Sequence, residues 1–190
     1  MKTKTFDLLA CVQDIADLGK EAINFFNQGL PAEIQRPGCY LNIVDKKTGE
    51  TILMIRVLSQ GSFIEEKANK YFNLAISKAK SIFLYQQSAG YYTSRETSLE
   101  EDGYPPGAIL YGDHIVSISG QTADDDEALA ILISVGFLPL NEKIGFLKGK
   151  VKGNKRIKQL LKHFLWRREE FPNLARKIDF YLNALTHLQK

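Results

Sequence analysis

The sequence predicts an α+β fold: a mainly antiparallel sheet made from two hairpins, flanked by helices and followed by a C-terminal helical extension. Three observations predict it. In three segments of the first 142 residues, apolar side chains recur at spacings of three and four, the helical period. Between these segments lie two pairs of runs rich in β-branched and aromatic residues. Each pair is joined by a short Gly-containing turn, the connection that antiparallel strands use. Beyond residue 142 the charge balance reverses. Residues 1–142 carry 12 Lys+Arg against 19 Asp+Glu (−7), residues 143–190 carry 13 against 3 (+10), and the two sums give the net +3 of the chain. The expected organisation is an α+β domain over residues 1–142 and a basic two-helix extension over residues 143–190.

Taken in order, Phe6, Leu8, Leu9, Val12, Ile15, Ala16, Ala22, Ile23 and Phe26 define an amphipathic helix over residues 5–28, stopped by Gly29. Residues 39–58 alternate as strands about the turn at residues 45–49, where Gly49 supplies the positive φ. Residues 65–84 return to helical spacing through Ala68, Tyr71, Phe72, Ala75, Ala79 and Ile82. Residues 86–104 lose all periodicity and read as a long irregular loop, which in a compact domain is more often functional than idle. A second hairpin turns at Gly112-Asp113, with strands at residues 107–111 and 115–119. Asp124, Asp125, Asp126 and Glu127 then open a helix that runs to Phe137, where negative charge opposes the dipole of the first turn. In the extension, Asn154 is the expected cap of a helix carrying Ile157, Leu160, Leu161, Phe164 and Leu165. Pro172 is expected to stop that run, and Leu174, Ile178, Tyr181, Leu182 and Leu185 form the next stripe.

With 190 residues, 44% of them hydrophobic and 25% charged, the chain is long enough for one sizeable core. Asp7 interrupts the apolar stretch that a signal peptide requires, and no run approaches the roughly 20 apolar residues of a membrane span. A cytosolic protein with no membrane partner is expected. Cys11 and Cys39 are far apart and lack metal-ligand spacing, so both are expected to be buried thiols. Phosphate-loop, G-x-S-x-G and H-E-x-x-H patterns are absent. A non-catalytic protein is therefore the expectation, with an enzyme of unmarked mechanism as the open alternative.

From Ile118 the run I-S-G-Q-T-A-D-D-D-E-A resembles the V-S-G to D-E-A signature of the GlcG/HbpS-like family, also called the haem-degrading or PduO C-terminal-like family. Three further features agree in order: Val44-Asp45 followed by a Gly turn and Arg56, the A-I-S-K-A-K-S helix segment from Ala75, and Pro106-Gly107-Ala108-Ile109 entering the third strand. The resemblance covers residues 7–138. It implies an α+β fold, a homo-oligomer, binding of haem, a corrinoid or another small ligand, and no catalytic triad. Its ligand positions map onto Asp45, Arg56, Lys78, His114, Ser117, Ser119 and Gly120. Two glycines of the family strand are replaced here by His114 and Ser117, and filling such positions narrows the space a ligand would enter.

Each of these residues also has a plain structural reading. His114 next to a hairpin turn is expected to be solvated, as are His163 and His187 on the tail helices, and haem needs an axial donor in an apolar pocket. Consecutive aspartates on a helix point about 100° apart, so Asp124, Asp125 and Asp126 are expected to cap the helix and not to hold a metal. Asp45 begins a turn, where Asp commonly bonds its own backbone, and Lys78 reads as a solvated helix residue. The tail offers a second function. Lys150, Lys152, Lys155, Arg156 and Trp166 form a basic and aromatic cluster suited either to nucleic acid or to assembly on the acidic body of its own or a neighbouring subunit, with Trp166 as the anchor.

Overall fold

The computed structural model describes residues 8–88, 93–97, 104–137 and 154–187. A single 3-10 turn at Leu9–Cys11 leads into α1 (Val12–Asn27), and Gly29 at φ 76° turns the chain away. The first hairpin is β1 (Gly38–Asp45) and β2 (Thr51–Leu58), closed by Gly49 at φ 76°. Next come α2 (Glu65–Ser88), a short α3 (Ser94–Thr97), β3 (Ala108–Tyr111), β4 (His114–Ser119) and α4 (Ala123–Phe137). The extension supplies α5 (Lys155–Trp166) and α6 (Pro172–His187).

The two hairpins form one antiparallel sheet in the order β2-β1-β4-β3. β1 and β4 join them, with Ile43 opposite Val116 and Leu41 opposite Ile118. Side chains alternate between the faces with period two. Leu41, Ile43, Ile109, Val116 and Ile118 point to α1 and α4, and join Ile15, Ile23, Leu129 and Ile133 in the main core. Val44, Leu110 and Ile115 point the other way, onto Ala79 and Ile82 of α2. α4 is therefore enclosed between the sheet and the extension, which is why its buried residues run without interruption from Asp125 to Gly136.

Ile157, Leu160, Leu161 and Phe164 of α5, with Leu174 and Ile178 of α6, belong to that same core. At roughly 1.5–3 kcal/mol for each large apolar side chain removed from water, these burials hold α5 and the start of α6 to the core.

Several expectations need correction. The irregular segment begins later than expected, because α2 runs on to Ser88, and its described residues include a bridge from Thr93 to Ile109 and the short α3. His114 opens β4, paired with Asp45 and Tyr111, so it is a strand residue. Pro172 starts α6 and does not stop α5, which has already ended at Trp166. At a first helical position its missing N–H costs nothing. Cys39 is fully buried, whereas Cys11 is half-exposed.

Candidate functional site

Where β4 hands over to α4, five segments meet around one ion pair. Lys78 projects from α2 through the sheet end, and its Nζ donates to Asp126 Oδ2 and to the Ile118 carbonyl, both at 2.9 Å. Lys78 is 2% exposed and Asp126 3%, so the solvated reading of Lys78 is overturned. A lysine with its charge out of water needs a carboxylate beside it, and Asp126 provides it from the first turn of α4. Asp126 Oδ1 accepts from the Gln121 N–H at 2.9 Å. Burial pushes the Asp126 carboxyl upward, with Lys78 opposing, and burial likewise pushes up the neighbouring Cys39 thiol.

Two glycines make room. A Cβ on Gly107, at φ 136°, would stand 2.6 Å from Lys78 Nζ and 2.8 Å from the Ile118 carbonyl. A Cβ on Gly120, at φ 145°, would stand 2.6 Å from the Gly38 carbonyl and 2.7 Å from Cys39 Cα. Gln121 Nε2 donates to that Gly38 carbonyl, and Arg36 Nη1 donates to the Gly120 and Gln121 carbonyls. Ser117 is buried and donates to the Ala75 carbonyl of α2 at 2.7 Å; Ser119 is also buried. Lys78, Ser117, Ser119 and Gly120 are thus brought together, but into a filled contact.

The other three resemblance positions lie elsewhere. Asp45 closes the first turn by accepting from the Lys47 and Thr48 N–H groups, which hold its carboxyl below the usual range. His114 sits half-buried beside it, and burial lowers its pKa despite Asp113 and Asp45. Arg56 is exposed on β2.

The four acids that open α4 each find a cation, drawn from three other helices. Arg95 of α3 binds Asp124 at 2.5 Å and Glu127 at 2.8 Å. Arg156 of α5 binds Asp125 at 2.6 Å, and Lys78 of α2 binds Asp126. Asn154 caps α5 by accepting from the Arg156 and Ile157 N–H groups, while its Nδ2 donates to the Asp124 carbonyl and to Glu127. Asp125 also completes a cap with Thr122. The acidic run therefore caps its helix, as expected, and in addition ties three other helices to it. Among the described residues no group of three or more acids, His or Cys is placed to hold a metal ion. Arg36 and Arg95 were not singled out from the sequence. The only signal for Arg95 was its place in a long aperiodic segment.

Of the tail cluster, Lys150 and Lys152 lie outside the described residues. Lys155 is exposed on α5 and Arg156 is half-buried against Asp125, over the Phe25 and Phe26 rings. Trp166 is 90% exposed, so it anchors nothing within the chain; Phe164, fully buried, takes that role. His163 is half-buried within 2.7 Å of Glu21, not solvated.

Two concavities among the described residues lie away from the Lys78–Asp126 contact. A cavity of about 720 Å³ lies between the start of α1, the end of α4 and the start of α6. Leu18, Phe137, Phe171 and Leu174 give it apolar walls; Asp14 and Asp17 edge it from α1, and Arg176 and Lys177 from α6. Lys177 donates to the Gly136 carbonyl, and burial lowers its pKa. A shallower groove of about 570 Å³ is lined by Phe25, Gln28, Arg156, Gln159, Lys162, His163 and Trp166. Neither is lined by a resemblance position.

The histidines offer haem no free axial ligand in either concavity. His114 lies outside both concavities and His163 is committed to Glu21. In the larger cavity no described His, Met or Tyr lines the wall, and Cys11 is its one side chain of an axial-donor type.

No family model matches the chain, and no curated protein does. Among solved structures the chain is similar to the Klebsiella pneumoniae protein ORFY, described under the DUF336 (GlcG-like) family model, at 19% identity, covering 74% of this chain and 99% of that one with a TM-score of 0.45. It is also similar to the Ybr137w protein, at 16% identity over 74% and 82% of the two chains, with a TM-score of 0.37. No described helix is long and apolar enough to cross a membrane.

Proposed function

We propose that this chain is a non-catalytic small-ligand-binding protein of GlcG/HbpS-like type, whose ligand enters the cavity between α1, α4 and α6. One observation carries the reading: apolar walls edged by Asp14 and Asp17 of α1 and by Arg176 and Lys177 of α6, with Glu170 already paired to Arg167, in a volume usual for small-molecule sites. That pattern suits a zwitterion with an apolar body, such as a free amino acid or dipeptide, its ammonium toward Asp14 and Asp17 and its carboxylate toward Arg176 and Lys177. Of the positions carried over from the family resemblance, Asp45, Lys78, Ser117 and Gly120 instead hold the fold together. Self-association fits the same reading, because β2 is an edge strand carrying exposed Ile52, and Phe72 and Ile76 of α2 are exposed as well.

Thermal-shift and calorimetric titration with free amino acids and dipeptides tests it. A ligand should raise Tm, and Asp14→Asn or Arg176→Gln should weaken its binding about tenfold. A panel that leaves Tm unmoved at millimolar concentration, or binding that both substitutions leave intact, overturns the reading.

A further inference from the structure

α5 has two unlike faces. Ile157, Leu160, Leu161 and Phe164 are buried, while Lys155, Lys158, Gln159, Lys162 and Trp166 are exposed opposite them. The helix contains no acidic residue. Its cations divide by partner: Arg156 is taken by Asp125, and the Arg167 that follows the helix is taken by Glu21 and Glu170. Lys155, Lys158 and Lys162 make no hydrogen bond or ion pair with a described residue. Among the described residues their charge is thus uncompensated, and it sits on one capped helix.

The groove beside these lysines combines two further kinds of surface. Trp166 stands 90% exposed at the helix end, and the Phe25 and His163 rings, 4.7 Å apart, form an aromatic floor. Gln28 and Gln159 supply amides, which both donate and accept, at its edge. Planar faces for stacking, amides for heteroatom edges and a row of lysines for phosphates together match an unpaired nucleotide chain. From Lys155 to Trp166 the helix spans about 16 Å, enough to follow a short run of nucleotides.

We infer that the α5 groove is a binding site for single-stranded nucleic acid, with a base stacked against Trp166 and the adjoining phosphates on Lys155, Lys158 and Lys162. An anionic membrane is the weaker match, because the apolar face of α5 is already buried in the core and one indole is left to insert. A duplex keeps its bases stacked and offers Trp166 nothing to pair with. The inference is independent of the cavity described above.

Trp166 is the only tryptophan in the chain, so its fluorescence reports stacking directly. Mixed-sequence 12-mers of single-stranded RNA and DNA, titrated at low salt, should quench that emission and raise the anisotropy of an end label. Affinity should fall steeply and linearly in log salt. Trp166→Ala and Lys158→Glu/Lys162→Glu should each weaken binding about tenfold or more with the circular dichroism spectrum unchanged, and Trp166→Phe should retain most of it. Preference for either RNA or DNA upholds the site and shows whether the 2′-hydroxyl contributes. The inference is overturned if neither strand binds, if the duplex binds as well while the emission stays unchanged, if vesicles containing phosphatidylserine quench Trp166 and oligonucleotides do not, or if Trp166→Ala changes the sedimentation mass in place of oligonucleotide affinity.

Discussion

Lys78 Nζ lies 2.9 Å from Asp126 Oδ2, with the two side chains 3% and 4% exposed, so a cation of α2 and an anion of α4 meet at the end of the sheet almost wholly out of water. Removing one partner leaves the other as an uncompensated buried charge. Lys78→Met should therefore destabilise the fold by about 3–5 kcal/mol, whereas Lys78→Met/Asp126→Leu should recover much of that loss. Urea unfolding of the single and double variants checks this, and equal loss in both would show that the pair is not the cause.

The glycines around this pair are a second source of sensitivity. At φ 145° Gly120 occupies backbone space that L residues rarely enter, and a Cβ there meets the backbone of Gly38 and Cys39, which cannot swing aside. Strain and overpacking act together, so Gly120→Ala should cost about 3 kcal/mol or more. Gly29→Ala, at φ 76° but with nothing within 4 Å, should cost only about 1 kcal/mol. Thermal unfolding of the two variants separates crowding from backbone conformation.

The hairpins and the helical stripes were legible because period-two and period-3.6 patterns are local and Gly49 and Gly112 mark their turns. The helix cap at Asn154 was legible for the same reason. The partner of Lys78 was not, since Asp126 is 48 residues away and its neighbours Asp124 and Asp125 look equivalent in sequence. Only the direction each takes from the first turn of α4 distinguishes them. Trp166, expected as the anchor of the tail on its own or a neighbouring subunit, makes no such contact within its own chain. On the helix it falls five residues after Leu161 and two after Phe164, off the buried face. The cavity between α1, α4 and α6 joins residues from both ends of the chain, and no spacing rule reaches that far.

His114 makes stability depend on pH with a definite sign. Burial holds its folded pKa below the ordinary 6.5, against the opposing charges of Asp113 and Asp45. Above pH 6.5 the ring is neutral in both states. As the pH falls below 6.5 the unfolded chain takes up the proton first, so stability declines until the folded pKa is passed. Between pH 7.5 and 5.5 the urea midpoint of the natural protein should fall further than that of His114→Gln. Parallel declines would locate the titration elsewhere.

The extension should prove inseparable from the rest of the fold, and two neighbouring aromatics on α5 let that be measured. Phe164 is fully buried in the main core and its ring stands 5.1 Å from Phe171, whereas Trp166, two residues on, is almost fully exposed. Phe164→Ala should cost about 3–5 kcal/mol through the cavity it leaves, and Trp166→Ala should change stability by less than about 0.5 kcal/mol. Asn154→Ala removes the cap of α5 and leaves Glu127 short of a donor, for a loss of about 2 kcal/mol. Loss of residues 143–190 should uncover α4 along Ile131 and Val135 and send the remaining chain into aggregates. A soluble, cooperatively folding fragment of residues 1–142, or a Phe164→Ala variant as stable as Trp166→Ala, would show that the extension is an accessory to the fold and not part of its core.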